Sequence, residues 1–134
     1  MSTREKSTIA SHMTAHPHTI GRDQSLARAH EMMRAHGFRH LPVLDGGRIV
    51  GIASSRDLDF VGAIRGVKPE EVTVEDAMSP APYSVAPTTP LAEVCATMAE
   101  HHYGCALIME DGRVRGIFTT VDALRLLAER TRAH

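Results

Sequence analysis

The stretch Gly51-Ile52-Ala53-Ser54-Ser55-Arg56-Asp57 recurs 65 positions later as Gly116-Ile117-Phe118-Thr119-Thr120-Val121-Asp122. Both copies have the form Gly-apolar-x-Ser/Thr-x-x-Asp and end an apolar run. A Ser or Thr with an acidic residue three positions later is typical of a helix start, because the hydroxyl and the carboxylate satisfy free N–H groups there. Each copy therefore predicts a strand followed directly by a helix, beginning near Ser55 and Thr120.

The same offset of 65 positions aligns most of the chain with itself without a gap. The identities in this register include Met13 with Met78, Pro17 with Pro82, Leu26 with Leu91, Met33 with Met98, and His36 with His101. Self-similarity at a constant period is the mark of repeated supersecondary units. The sequence therefore predicts a tandem duplication.

Each repeat has the pattern of a β-α-β-β-α unit. An extended piece near Pro17–Ile20 or Pro82–Val85 precedes a helix whose apolar side chains recur at helical spacing. In the second repeat we expect Pro90 as the first helical residue and Thr89 as its N-cap. Two apolar runs separated by turn residues follow and predict a hairpin. The runs are His40–Leu44 with Arg48–Ala53, and Cys105–Met109 with Arg113–Phe118.

The repeats divide the chain into two domains of a mixed α+β (α/β) fold, at residues 9–65 and 74–130. Residues 66–73 are expected to connect them, and residues 1–8 to form an N-terminal tail. A unit this small exposes much of its apolar surface when alone. We therefore expect the two repeats to pack together as a pseudo-two-fold pair.

Composition excludes several classes of function. The 134 residues include 15 Lys and Arg against 16 Asp and Glu, and aromatic residues are 4% with no Trp. Nucleic-acid binding is therefore not expected, since it needs a basic surface or stacking rings. No apolar run is long enough for a membrane span, and Met1–Thr8 lacks a signal peptide's apolar stretch. Two cysteines without a C-x-x-C spacing suggest a reduced, cytoplasmic setting.

The duplicated Ser/Thr-x-x-Asp motif allows two interpretations. As a capping box, it only stabilises a helix start. As a binding site, the helix N-terminus and the hydroxyl of Ser54 or Thr119 suit a phosphate. Asp57 or Asp122 would then accept both ribose hydroxyls, as acidic residues do in dinucleotide sites. Gly51 and Gly116 would permit a close approach by a ligand or a neighbouring strand.

The chain resembles a CBS (cystathionine-β-synthase) domain pair, also called a Bateman module. The resemblance covers about residues 9 to 128. It is carried by Glu75-Asp76-Ala77-Met78, by His40-Leu41-Pro42-Val43-Leu44-Asp45, and by both copies of the Gly-apolar-x-Ser/Thr-x-x-Asp motif. The family implies a sensor of adenosyl ligands with two potential clefts.

The resemblance also implies roles for particular residues. Asp57 and Asp122 would hold ribose, and Ser54 and Thr119 would touch phosphate. Thr19-Ile20 and Ser84-Val85 would meet adenine through backbone groups. The apolar slot for the base would be lined by His40-Leu41-Pro42 and Cys105-Ala106-Leu107. Arg56 would add a cation in the first cleft, where the second has Val121, so the first suits a charged phosphate tail better.

The function implied is a stand-alone, non-catalytic regulator in the cytoplasm that acts on a separate protein. Its ligand would be AMP, ADP or ATP, with S-adenosylmethionine or an NAD-type compound as alternatives, and no obligatory cofactor. Self-association as a homodimer is expected. The alternative is a structural or interaction module whose motifs serve only as helix caps.

Two further signals rank lower. His12, His16 and His18 lie close in sequence but lack the partner ligands of a zinc pattern, so exposed histidines are expected there. Cys105 with His101 or His102 nearby is one arrangement of a nucleophile and a base, but no third orienting group is evident. A buried, inert thiol is the better interpretation of Cys105.

Overall fold

The computed structural model describes residues 7–132. This part of the chain forms two compact spatial units. The first unit is His18–Pro82, and the second joins the N-terminal residues up to Pro17 to the residues from Tyr83 onward. Each unit therefore contains one repeat's central elements together with the segment that leads into the other repeat.

The helices and strands alternate along the chain as the repeat pattern predicts. The strands are β1 (Thr14–Ala15), β2 (Ile20–Gly21), β3 (His40–Asp45), β4 (Arg48–Ser54), β5 (Ser79–Pro80), β6 (Ser84–Val85), β7 (Cys105–Glu110) and β8 (Arg113–Thr119). The helices are α1 (Leu26–His36), α2 (Ser55–Gly62), α3 (Val74–Ala77), α4 (Leu91–His101) and α5 (Thr120–Arg132). A 3-10 turn, Ile9–Ser11, precedes β1. The mixed α/β fold with two β-α-β-β-α repeats is confirmed.

Each unit holds one four-stranded sheet, and the two sheets have the same topology. The first unit has the strand order β2-β3-β4-β5, and the second has β6-β7-β8-β1. In each, a parallel edge strand joins an antiparallel hairpin, and an antiparallel edge strand completes the sheet. The register repeats as well, because Ile20 pairs with Val43 and Val85 pairs with Ile108.

The hairpin turns explain the glycines between the apolar runs. Gly46 and Gly47 have φ values of 58° and 87°, and Asp111 and Gly112 have 54° and 74°. Two successive positive φ values form a type I′ turn, which matches the twist of a hairpin and favours Gly or Asp-Gly. Local turn chemistry therefore positions β3 against β4 and β7 against β8.

The lead-in segments are exchanged between the repeats. Backbone N–H of Leu91 donates to the Ser7 carbonyl at 3.0 Å, and that of Leu26 donates to the Val72 carbonyl at 2.9 Å. Ser7 falls in the expected tail and Val72 in the expected connector, yet each pairs with the first turn of a helix. These segments also complete the sheets, since β1 pairs with β8 and β5 with β4.

The start of α4 differs by one residue from the predicted start. Pro90 is the N-cap, with extended backbone (ψ 138°), and α4 begins at Leu91. The prediction of Thr89 as N-cap and Pro90 as first helical residue is therefore wrong by one position. The Ser7 carbonyl accepts the N–H of Leu91, so this helix start has a backbone partner. At α1, the equivalent bond of Leu26 to Val72 is accompanied by a side-chain cap, because the Ser25 hydroxyl accepts the N–H of Arg28.

Each unit has its own hydrophobic core, and the lead-in segment contributes to it. In the first unit Val74 is fully buried beside residues of α1, β3 and α2. In the second, Ile9 is fully buried beside residues of α4, β7 and β8. Burying a side chain of this size stabilises the fold by about 1.5–3 kcal/mol. The exchanged segments are therefore integral to each unit.

Candidate functional site

The first motif forms a complete capping box at the start of α2. The N–H of Asp57 donates to the Ser54 hydroxyl oxygen at 3.0 Å, and the N–H of Ser54 donates to Asp57 Oδ2 at 3.4 Å. The side chains thereby satisfy N–H groups that the helix itself leaves without partners. The capping role of this motif is observed directly.

The second motif forms a tighter box at the start of α5. The N–H of Asp122 donates to Thr119 Oγ1 at 3.2 Å, and the N–H of Thr119 donates to Asp122 Oδ2 at 2.8 Å. The Thr119 hydroxyl also donates to Asp122 Oδ2 at 3.0 Å. Because this bond uses the hydroxyl proton, a phosphate at Thr119 would compete with Asp122 for it.

The strand start next to each motif brings further predicted residues close. His40 pairs with Ser54 across β3 and β4, and Cys105 pairs with Thr119 across β7 and β8. Arg56 is exposed in the first turn of α2. The structure thus groups His40, Ser54, Arg56 and Asp57 at one end of the first sheet.

Other predicted residues lie away from this end or inside the cores. Thr19 is half-buried and Ile20 is buried, and Ile20 pairs with Val43, three residues along β3 from His40. At about 3.3 Å per residue, this pairing lies roughly 10 Å along β3 from His40. Leu41 and Pro42 are fully buried, so they support the strand from within.

The second unit repeats this distribution. Ser84 is exposed and Val85 half-buried, and these residues pair with Leu107 and Ile108. Ala106 and Leu107, like Leu41 and Pro42, are fully buried. The structure therefore separates these predicted residues into motif, edge-strand and core positions.

Cys105 is a buried thiol at the start of β7. Burial raises the pKa of this thiol to about 12. Because the thiolate is the nucleophilic form, the group is inert at neutral pH. The interpretation of Cys105 as a structural residue agrees with this burial.

A surface depression of about 370 Å³ lies at the opposite end of the first sheet from the capping box. It contains Thr19 and Ile20 together with Gly46 and Gly47 of the hairpin turn. Arg22, which also lines it, pairs with Asp45 at 3.3 Å and with Glu75 at 2.9 Å. The hydrogen bond to Glu75 and the charges of both carboxylates raise the pKa of Arg22. The two carboxylates offset the positive charge of Arg22, so Arg22 is less suited to binding an anion in this depression.

The sequence analysis did not identify the residues directly before β3 and β7, Arg39 and Gly104, as neighbours of the capping boxes. The N–H of Ser55 donates to the Arg39 carbonyl at 2.8 Å, and the N–H of Thr120 donates to the Gly104 carbonyl at 3.0 Å. Arg39 therefore lies beside the first capping box, and its side chain is exposed. Aligning the two repeats could have drawn attention to Arg39, because Arg39 is charged whereas the equivalent residue of the second repeat, Gly104, is not.

Ring stacks at equivalent positions were also missed. In the first unit His18 stacks on His36 with ring centroids 4.1 Å apart, and on Phe38 at 5.2 Å. In the second unit Tyr103 stacks on Tyr83 and on His101, each at 5.2 Å. His36 ends α1 and His101 ends α4, so in both units a histidine ring joins a helix end to the residues just before a strand.

The three N-terminal histidines do not act as one group. His12 and His16 belong to the second unit, and His18 belongs to the first. The ring of His12 is hydrogen-bonded through Nε2 to the Ser7 hydroxyl at 2.8 Å. Within residues 7–132, no three His, Cys, Asp or Glu side chains are grouped as metal ligands would be.

The helices of the described chain are also short relative to a bilayer. None between residues 7 and 132 is both long and apolar enough to cross a membrane.

Two repeats of one unit, each ending in the same capping box, are the pattern found in a known family. The family model for the CBS domain matches residues 8–61 and 74–129. The chain belongs to the CBS domain family. The structure of this CBS pair is therefore the family fold, with the capping boxes at the starts of α2 and α5.

Relatives of this CBS pair include proteins of similar length. Hypoxic response protein 1 of Mycobacterium tuberculosis is 28% identical over 111 residues, which cover 82% of this chain and 78% of that protein. An uncharacterized conserved protein from Pyrococcus horikoshii has a similar structure, with 30% identity, a TM-score of 0.82 and 95% of each chain covered. The CBS domain pair of protein MJ0100, crystallised with 5-methylthioadenosine and S-adenosyl-L-methionine, is 25% identical with a TM-score of 0.81. That similarity covers 90% of this chain and 99% of MJ0100's.

Proposed function

We propose that this protein is a regulatory module that binds an adenosyl compound and transmits its presence to another protein. The observation that carries the proposal is the pair of Ser/Thr-x-x-Asp boxes, each beside the first residue of a β-strand. Each box offers a hydroxyl and a carboxylate at a helix N-terminus, the groups that suit phosphate and ribose. The adenosyl ligands of the MJ0100 pair support this choice of ligand class.

The charges near the boxes favour different ligands in the two units. Arg39 and Arg56 are both exposed near the first box, whereas Gly104 and Val121 hold the equivalent positions at the second. Cations at a phosphate site strengthen binding through charge-assisted hydrogen bonds. The first unit therefore suits AMP, ADP or ATP, and the second suits a less charged compound such as S-adenosylmethionine. An NAD-type compound is the remaining alternative.

A second candidate function is that of a structural module that binds no nucleotide. The observation in its favour is that both boxes are closed, so the motifs already have a complete role as helix caps. Capping alone stabilises a helix by about 0.5–2 kcal/mol, which is reason enough for such residues.

Substitution of the two aspartates separates these functions. Asp57→Asn and Asp122→Asn remove the charge that would accept ribose hydroxyls, and each hydrogen bond to a charged group is worth about 1.5–3 kcal/mol. Titration calorimetry with AMP, ADP, ATP, NAD and S-adenosylmethionine should show affinity reduced at least about tenfold in a substituted unit. Asp59→Asn, two residues further along α2, is the matched control and should bind normally.

Circular dichroism is needed beside each titration to show that every variant is folded. A folded wild-type protein that binds none of these compounds at millimolar concentration would contradict the proposal. Unchanged affinity in both Asp57→Asn and Asp122→Asn would also contradict it and support the capping function.

The proposed module is not an enzyme, has no obligatory cofactor and self-associates as a homodimer. Exposed apolar side chains on α2 and α5 support self-association: Phe60 is 74% exposed and Leu124 is 62% exposed. Apolar surface of this kind is typical of a contact with another protein chain. Sedimentation velocity over a range of concentrations tests it, and a monomer at every concentration would contradict it.

A further inference from the structure

Met13 and Met78 occupy equivalent positions in the two lead-in segments, directly before the edge strands β1 and β5. Each side chain is half-buried and packs against the core of its own unit. The backbone N–H of Met78 donates to the Val74 carbonyl, and that of Met13 to the Ile9 carbonyl, both at 2.9 Å. In each unit, a methionine therefore lies between a fully buried residue of the lead-in segment and a short edge strand.

The sulfur atom of each methionine covers a buried glycine of the neighbouring strand. A Cβ atom at Gly51 would lie 2.6 Å from Sδ of Met78, so the sulfur occupies the space that a side chain would need. Sδ of Met13 fills the corresponding space at Gly116. In both places the backbone carbonyl oxygen of the residue after the methionine bounds the same space. The contact of each edge strand with its neighbour therefore includes a closely packed thioether.

The two edge strands are held by few hydrogen bonds. β1 and β5 contain two residues each, and each has a partner strand on one side only. Pro80 of β5 has no N–H to donate. Segments with so few bonds open locally at a small cost in free energy. We therefore expect a change in packing at the sulfur to affect these strands before the rest of each sheet.

We propose that Met13 and Met78 are paired oxidation sites at which a peroxide loosens the edge strands β1 and β5. A lone pair of the thioether sulfur attacks one peroxide oxygen, so that an S–O bond forms as the O–O bond breaks. The second oxygen takes the proton of the first and leaves as water, or as an alcohol from an organic peroxide. The sulfur loses two electrons and the peroxide gains them, and the product is methionine sulfoxide.

The added oxygen atom is incompatible with the packing of the thioether. It accepts hydrogen bonds and donates none, and the backbone carbonyl that bounds the same space is also an acceptor. Turned toward the core, the oxygen would be a buried polar atom without a partner. Turned toward water, it would move the sulfur off the glycine and expose apolar surface. Each orientation weakens the pairing of the edge strand with its neighbour.

Burial slows the competing reaction of peroxide with the two cysteines. A thiol reacts as its thiolate, whereas a thioether needs no deprotonation. Burial raises the pKa of the Cys95 thiol, and it raises the pKa of Cys105 to about 12. Both thiols are therefore protonated at neutral pH, while the half-buried thioethers are already in their reactive form.

The experiment measures amide hydrogen exchange of the full chain by mass spectrometry, before and after treatment with hydrogen peroxide. Peptide masses should show one oxygen atom added at Met13 and one at Met78 in the folded protein. Exchange in the peptides that contain β1 and β5 should then be at least about tenfold faster. The N–H of His16, which donates to the Arg115 carbonyl at 3.1 Å, reports on the end of β1. Methionine sulfoxide reductases, which remove the oxygen as water with two electrons from thiols, should restore the original rates.

Each methionine should act only in its own unit, which provides an internal control. Met78→Leu removes the thioether of the first unit, so the treated variant should keep slow exchange in β5 and show fast exchange in β1. Met13→Leu should show the reverse. Met32→Leu is the matched control, because Met32 is also half-buried and packs against the core of the first unit, but lies on α1. This control should respond to peroxide as the wild type does.

Replacement of every methionine by norleucine, which has the same unbranched shape without sulfur, tests the proposal where a leucine variant fails to fold. Peroxide should leave both edge strands of that protein unchanged. Sulfoxide at Met13 and Met78 without faster exchange in β1 and β5 would overturn the proposal. Faster exchange in the norleucine protein would overturn it too, as would a folded wild type whose Met13 and Met78 remain unoxidised. The proposal does not depend on nucleotide binding, so none of these outcomes bears on the titrations described above.

Discussion

Replacing Gly51 with Ala tests the exchange of lead-in segments. Gly51 lies in β4 where β5 pairs with it, and β5 belongs to the segment that leads into the second repeat. A Cβ atom at this position would lie 2.6 Å from Sδ of Met78 and 2.7 Å from the carbonyl oxygen of Ser79. Carbon atoms essentially never approach backbone oxygen that closely in a folded protein, so something must move.

The loss of stability in Gly51→Ala depends on which neighbouring group moves. The Met78 side chain is flexible and can shift at small cost. The Ser79 carbonyl is backbone, and it cannot move without disturbing the pairing of Ser79 with Ile52. Overpacking of this kind costs about 1–3 kcal/mol. Gly116→Ala should have a similar effect, because its Cβ would lie 2.9 Å from the Thr14 carbonyl oxygen.

Urea denaturation followed by circular dichroism measures this change in the free energy of unfolding. The matched control is Gly62→Ala at the end of α2, where a Cβ atom would meet nothing within 4 Å. That variant should be neutral or more stable by about 0.4–1 kcal/mol, because alanine restricts the unfolded chain.

Equal stability of Gly51→Ala and wild type would refute the reasoning, since it would mean that β5 does not lie against Gly51. The same result for Gly116→Ala would refute the pairing of β1 with β8. A loss of stability in Gly62→Ala as large as that in Gly51→Ala would show that the effect is not specific to the pairing of β5 with β4.

Two other predictions concern stability. Ser54→Ala removes the acceptor for the N–H of Asp57 and should lower the free energy of unfolding by about 0.5–2 kcal/mol in urea denaturation; an unchanged value would contradict the cap. Burial raises the pKa of Cys105 from its ordinary 9.0 to about 12, so the folded state keeps the proton that the unfolded chain releases. Its contribution to stability is therefore complete below pH 9 and is lost as the pH rises toward about 12, an alkaline decline that should be smaller in Cys105→Ala.

The parts of the fold that depend on neighbours in sequence could be predicted. The helix starts at Ser55 and Thr120 follow from the capping boxes, and the hairpin turns follow from glycines that adopt positive φ. Arg39 was missed because it reaches the capping box through a backbone carbonyl, a contact that any residue type could make. The start of α4 was misplaced because the fixed φ of Pro90 suits both a helix and extended backbone, and in the structure its ψ of 138° is extended.

The candidate site was predictable only in its local part. The pairing of Ser54 with Asp57 follows from their spacing. The full burial of Leu41 and Pro42 does not, because an apolar residue of a strand reads the same whether it faces a core or a ligand. The stack of His18 on His36 likewise joins residues from two elements, and no periodicity connects them.

By itself, the sequence determines a duplicated β-α-β-β-α chain with a capped helix after each hairpin, since short-range hydrogen bonds and the periodicity of apolar residues suffice for that. Only the tertiary structure decides that each lead-in segment completes the sheet of the other repeat. The physical reason is that Met13 and Met78 occupy equivalent positions in the repeats. The local sequence is therefore compatible with either methionine lying against Gly51 or Gly116. Which glycine each methionine contacts depends on which sheet its lead-in segment joins, and that is a long-range property.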